Sequence, residues 1–327
     1  MQRREILRLG LGYVAASVGA MAEARSSVPI QVSISYPIID THIHLFDPTR
    51  AGGVPWPTKD DLAIYKPALP GRYEKIARPL GVVGAIAVEA SPLEIDNDWV
   101  LQQAAKNPII VGFVGDLVPG SASYGRQLDR LHANPIFVGI RYGNLWDRDL
   151  SVDRKKPEFI SDLRRLASAG LELDSANPDP KLLEAILDVS QQIPELRIVV
   201  DHLPAATIPK ENSARKEYWS NLRSLSQNPH VFVKLSEVPV RVGNNVPKDA
   251  AFYKDKLDGI WDVFGEDHVV FGSDWPNSDH LATYSETLGI VQTYISTKGP
   301  VATEKYFWRN SIAAYGWHPR KPDQPTA

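Results

Sequence analysis

Short, almost unbroken apolar runs recur along the chain, each followed by a turn and then by a stretch with helical spacing. The runs cover residues 38–45, 83–88, 109–114, 136–140, 171–173, 197–200, 231–235 and 269–271. They are rich in Val, Ile and Phe, which predicts strands buried on both faces, as in parallel sheets. Amphipathic stretches lie between them at 98–106, 124–133, 158–169, 180–192, 214–227, 250–264 and 281–297. Asn97 and Asp179 stand where helix N-caps are expected, and Gly170 and Gly265 where helices stop. Eight strands alternating with helices predict a single-domain (β/α)8 TIM barrel over residues 36–317. An open doubly wound sheet would have fewer strands and a glycine turn for phosphate after the first. Ile43-His44-Leu45-Phe46 stands there instead.

Two long connections, 46–70 and 236–248, interrupt this rhythm. Both leave the C-terminal ends of predicted strands, where barrel enzymes build their sites. The tail 318–327 is polar and Pro-rich, and is expected to be disordered. Residues 1–24 have a basic start with Arg3-Arg4, an apolar middle and an Ala22-Glu23-Ala24 end. This pattern predicts a twin-arginine-like signal peptide and export to the periplasm. The apolar middle is short for a membrane span, so no stable membrane insertion is expected after cleavage.

Composition narrows the chemistry. Of 327 residues, 43 % are hydrophobic and 23 % charged, enough for a large core. The net charge is −3 and no basic stripe stands out, which argues against nucleic acid as a partner. Cysteine is absent, removing disulfides, thiolate nucleophiles and thiolate metal sites.

The most specific local signal is Ile39-Asp40-Thr41-His42-Ile43-His44. Strand alternation points His42 and His44 to one face, where two imidazoles can chelate a divalent ion or polarise a carbonyl. Alone, the pair is weak. However, Val199-Val200-Asp201-His202 ends the sixth predicted strand and Phe271-Gly272-Ser273-Asp274-Trp275-Pro276 ends the eighth. Three histidines and an aspartate are thus expected at one end of the barrel, with Asp274 as a metal ligand or a base toward water. His132, His230, His268, His280 and His318 read as surface or structural residues.

The chain resembles the amidohydrolase superfamily, in the amidohydrolase-2 branch that contains lactonases acting on sugar lactones and pyrone dicarboxylate. The resemblance runs from residue 38 to about 317. It rests on the segments above together with Gly53-Val54-Pro55-Trp56-Pro57, Val88-Glu89-Ala90-Ser91, Gly139-Ile140-Arg141, Asp201-His202-Leu203-Pro204 and Val233-Lys234-Leu235-Ser236. It implies a hydrolase that opens a lactone ring of a small-molecule substrate. Asp274 would activate water, while His42, His44 and His202 stabilise the oxyanion directly or through one divalent metal, zinc by preference.

Departures from the superfamily pattern matter equally. Strand four ends in Ile140-Arg141-Tyr142 without a bridging lysine, and strand five reads Leu171-Glu172-Leu173-Asp174 without a histidine. A two-metal site is therefore not expected. Arg141, Glu89, Asp174, Trp56 and Trp275 are candidate substrate-binding residues. Arg141 would clamp a carboxylate or hydroxyls, unless Glu89 or Asp174 pairs with it. The tryptophans would form an apolar wall or stack on a sugar face. The alternatives are another amide or ester hydrolase, a decarboxylase of an aromatic acid, or a non-catalytic sugar-acid binder. The sequence leaves the oligomeric state open.

Overall fold

A computed structural model of the protein describes residues 36–326 apart from Asn177. The predicted signal peptide lies outside these residues. Eight strands follow one another around a parallel sheet: β1 (Ile38–His44), β2 (Val82–Val88), β3 (Ile110–Gly115), β4 (Phe137–Arg141), β5 (Glu172–Asp174), β6 (Arg197–Val200), β7 (Val231–Leu235) and β8 (Val269–Phe271). Each neighbouring pair is parallel. The sheet closes just beyond β8, where the Asp274 amide donates to His42 O (2.9 Å) and the His44 amide to Trp275 O (2.7 Å). This is the expected (β/α)8 barrel. Its strands are buried nearly throughout, which is why they lack alternation in sequence.

Helices fill the outer layer between the strands. Pro180–Gln192 starts at the expected cap: Asp179 accepts from the Leu182 amide. Ala250–Phe264 stops at Gly265, whose φ of 67° suits glycine. Asn97 is not a cap. The helix begins earlier, at Glu94, and Asn97 sits inside it, pairing with both the amide and the carbonyl of Asp116.

The other end of the barrel is sealed by the C-terminal segment. Trp308, Tyr315 and Trp317 pack against Ile39, Val138, Phe232 and Val270. The following tail, expected to be disordered, is pinned instead. Arg320 donates to the carbonyls of Ala104 (2.7 Å) and Ile110 (2.6 Å). Gln324 donates to those of Val83 and Pro108. Composition suggested disorder because the tail has few apolar residues. Its order comes instead from carbonyls that two long polar side chains reach.

Candidate active site

The site begins with an irregularity in β1. Pairing with β2 passes from Asp40↔Ala85 to Ile43↔Ala87, so three residues face two. Asp40 turns to the helical layer and accepts from the hydroxyls of Tyr73 (2.8 Å) and Tyr284 (3.0 Å). Two residues on, His42 faces the mouth with His44. Their Nε2 atoms are 3.3 Å apart. Gly272 makes room for this, because a Cβ there would lie 2.8 Å from His42 Cβ.

Asp274 and His202 join them from β8 and β6. Both leave their strands with left-handed backbones, φ 60° and 50°, a costly conformation that recurs at functional sites. Asp274 Oδ1 lies 3.2 Å from His44 Nε2, 3.6 Å from His42 Nε2 and 4.0 Å from His202 Nε2. This oxygen is buried and has no hydrogen-bond partner. Its twin, Oδ2, accepts from Asn277 (2.7 Å). The structure thus brings together the four residues singled out in the sequence.

Charge at this point differs from a carboxylate held by imidazolium. Burial, reinforced by Lys234, His44 and Arg141, holds His42 well below the usual imidazole range. Burial and His42 do the same to His202. Burial and Arg141 bring His44 down to about 4. All three are neutral at pH 7. Burial also pushes Asp274 up to about 7 and Glu237 beside it up to about 8, the neighbouring Asp274 adding to the latter.

The histidines and aspartate here form groups that could hold a divalent cation, with Asp274 shared between them. His44 Nδ1 lies 3.1 Å from the Val88 carbonyl, which can only accept. The ring proton is therefore on Nδ1, and Nε2 turns its lone pair toward the unpartnered Asp274 Oδ1. Two acceptors at 3.2 Å call for a proton or a cation between them. A tetrahedral zinc site has ligand atoms about 3.3 Å apart, given bonds of about 2.0 Å. His42, His44 and Asp274 form one cluster suited to a metal, and His202, Glu237 and Asp274 another. A third grouping, of His42, Asp201 and His202, has Lys234 against two of its members. The Lys234 ammonium is 2.8 Å from Asp201 and 3.1 Å from His42 Nδ1, so a second cation there would meet a positive charge already in place.

Beside the four residues opens a cavity of about 280 Å³, lined among others by Trp56, Arg141, Trp146, Glu237 and Asn277. Trp56 comes from the long loop after β1 and packs edge-on to His44, ring centres 5.5 Å apart. Arg141 reaches the cavity but is already paired: Nε donates to Glu89 Oε1 (2.9 Å) and one terminal nitrogen to Glu89 O (3.0 Å). Glu89 also accepts from Trp146 and the Ser91 amide, so its oxygens are engaged with protein groups. It does not line the cavity. Asp174 does not either: it accepts from Lys234 (2.5 Å) and from the Tyr315 hydroxyl (3.0 Å). Trp275 is wholly buried on the outer side, against Tyr73 and under Arg72. Of the five residues considered for substrate contact, only Trp56 and Arg141 line the cavity.

Residues 39–317 match the amidohydrolase family. The chain belongs to that family. An L-fucono-1,5-lactonase from Burkholderia ambifaria is 28 % identical over 284 residues, covering 85 % of this chain and 94 % of the relative. A zinc-bound amidohydrolase from Burkholderia multivorans superposes with a TM-score of 0.74 at 19 % identity, covering 86 % of this chain and 100 % of that one. A probable 2-pyrone-4,6-dicarboxylic acid hydrolase from Acinetobacter baumannii, with citric acid bound, gives 0.66 at 19 % identity, covering 85 % and 99 %. The structural likenesses establish the fold.

This amidohydrolase is a hydrolase with a His/Asp group able to hold a metal. Three residues near its site were not singled out in the sequence. Lys234 is fully buried on β7. Glu237 follows with a left-handed backbone, φ 50°. Trp146 hangs in the loop after β4.

Proposed function

We propose that this amidohydrolase opens the ring of a lactone, a cyclic ester of a sugar acid or related carboxylate. The observation that carries this is Asp274 Oδ1, buried without a hydrogen-bond partner where three neutral imidazoles converge, beside a cavity of ring size. The lactonase relative supports the reading. Ionised Asp274 takes a proton from water as the water oxygen bonds to the lactone carbonyl carbon. The tetrahedral intermediate collapses, the ring C–O bond breaks, and Asp274 returns the proton to the departing alkoxide. A hydroxy acid leaves. A divalent cation, zinc by donor type, would be held by His42, His44, His202 and Asp274 and would polarise the carbonyl. Arg141, fixed by Glu89, orients the substrate oxygens. Decarboxylation draws no support from this site, because the end of β5 is tied to Lys234.

A panel of aldono-1,5-lactones assayed with a pH indicator tests the reading. Acid release well above the solvent rate is expected, falling on chelation and returning with zinc if the cation contributes. Cleavage of simple esters or amides with no lactone opening would overturn it.

We also propose export, on the strength of Arg3-Arg4 and Ala22-Glu23-Ala24. N-terminal sequencing of protein from the native envelope fraction is expected to begin near Arg25. An intact Met1 end confined to the cytoplasm would contradict this.

A further inference from the structure

The geometry points to Trp146 as a specificity-determining residue that recognises the closed ring of the substrate. This rests on the lactonase reading and deepens it.

Trp146 and Asp147 adopt left-handed backbones in succession, with φ of 59° and 60°. A bulky side chain rarely takes that conformation once, and here two non-glycine residues do so side by side. The surrounding chain holds the loop in place. Arg148 pairs with the buried Asp116 carboxylate and donates to Arg141 O (3.2 Å). The Leu150 amide donates to Gly143 O (2.9 Å), and Lys181 pairs with Asp149 (2.7 Å). Gly143 lets the loop pass, since a Cβ there would lie 2.6 Å from the Ala176 amide nitrogen.

The result is a directed indole. Its Nε1 lies 3.0 Å from both carboxylate oxygens of Glu89, which satisfies its polar edge. Its ring lines the cavity together with Trp56, Leu145 and Ala90. The cavity lining therefore combines two tryptophans with the polar groups of Asp274 and Arg141. A sugar lactone ring is held rigid and gathers C–H groups on one face, which packs on an aromatic surface. The open-chain hydroxy acid carries a carboxylate and one more hydroxyl where the ring ester was, and it has no fixed apolar face. Trp146 thus favours lactone over product.

Kinetics of Trp146→Ala and Trp146→Phe on an aldono-1,5-lactone, with inhibition by the corresponding aldonate, test this. Trp146→Ala is expected to raise KM about tenfold or more, with kcat within about threefold and aldonate inhibition unchanged. Trp146→Phe, which keeps a ring but loses the N–H, is expected to recover most of the loss. Equal damage in both variants, with kcat falling too, would show that the indole only holds Glu89 and Arg141, and would overturn the inference. So would aldonate inhibition weakening as much as lactone binding. Failure of the wild-type protein to open any lactone would sink the lactonase reading alone. Calorimetry with a sugar 1,5-lactam and the aldonate would then decide Trp146: tighter lactam binding lost in Trp146→Ala supports it, and unchanged binding overturns it.

Discussion

Asp274→Asn is expected to lower lactone turnover by about a hundredfold or more while KM changes little. The reason is specific to this site. Asn277 donates to Oδ2, so an amide at position 274 turns its oxygen toward Asn277 and its NH2 toward the imidazoles. Shape survives, but the unpartnered basic oxygen of residue 274 is gone. Steady-state kinetics with metal analysis of both proteins checks this. Turnover within about threefold of wild type, at equal metal content, would move the base elsewhere. Glu89 and Asp174, candidate substrate contacts in the sequence, are both engaged with protein groups. Glu237, which lines the cavity next to Asp274, would be the group to test.

The largest stability effect is expected at Lys234. Its ammonium is fully buried between Asp174 (2.5 Å) and Asp201 (2.8 Å) and lies over the Tyr315 ring. Lys234→Met removes the cation and leaves two buried carboxyl groups facing each other. Removing one partner of such a cluster costs about 3–5 kcal/mol. That is a large share of the roughly 5–15 kcal/mol that holds a typical domain together. Denaturant unfolding of wild type and variant measures it. A loss under about 1 kcal/mol would mean that the cluster is solvated or that the two aspartates are not charged.

The barrel was legible because parallel strands buried on both faces leave unmistakable apolar runs. The four central residues were legible because each lies within such a run or two to three residues past its end. Other features were harder to see. A bulge in β1, not simple alternation, is what sends Asp40 outward and His42 inward. Lys234 carried a readable signal: a lone charge inside Val-Phe-Val-Lys-Leu must be paired, and Asp174 and Asp201 end the two preceding strands. Trp275 was misplaced because it follows the left-handed Asp274 beyond the end of β8, and it lies wholly buried against Tyr73. Glu237 and Trp146 reach the cavity through left-handed turns at non-glycine residues, which no periodicity announces. The tail is held by carbonyl contacts that depend on the folded barrel.

The most direct test of the account is the pH dependence of kcat/KM for lactone opening, corrected for the solvent reaction, before and after chelation. Asp274 acts as a base only when ionised, and burial has raised it to about 7. Activity is therefore predicted to be lost as pH falls through that value and to level off above it. The midpoint should lie near 7 in chelated protein that keeps activity, and lower when a cation at Oδ1 stabilises the carboxylate. A profile flat from about pH 5 to 9 in both states would contradict a mechanism built on Asp274.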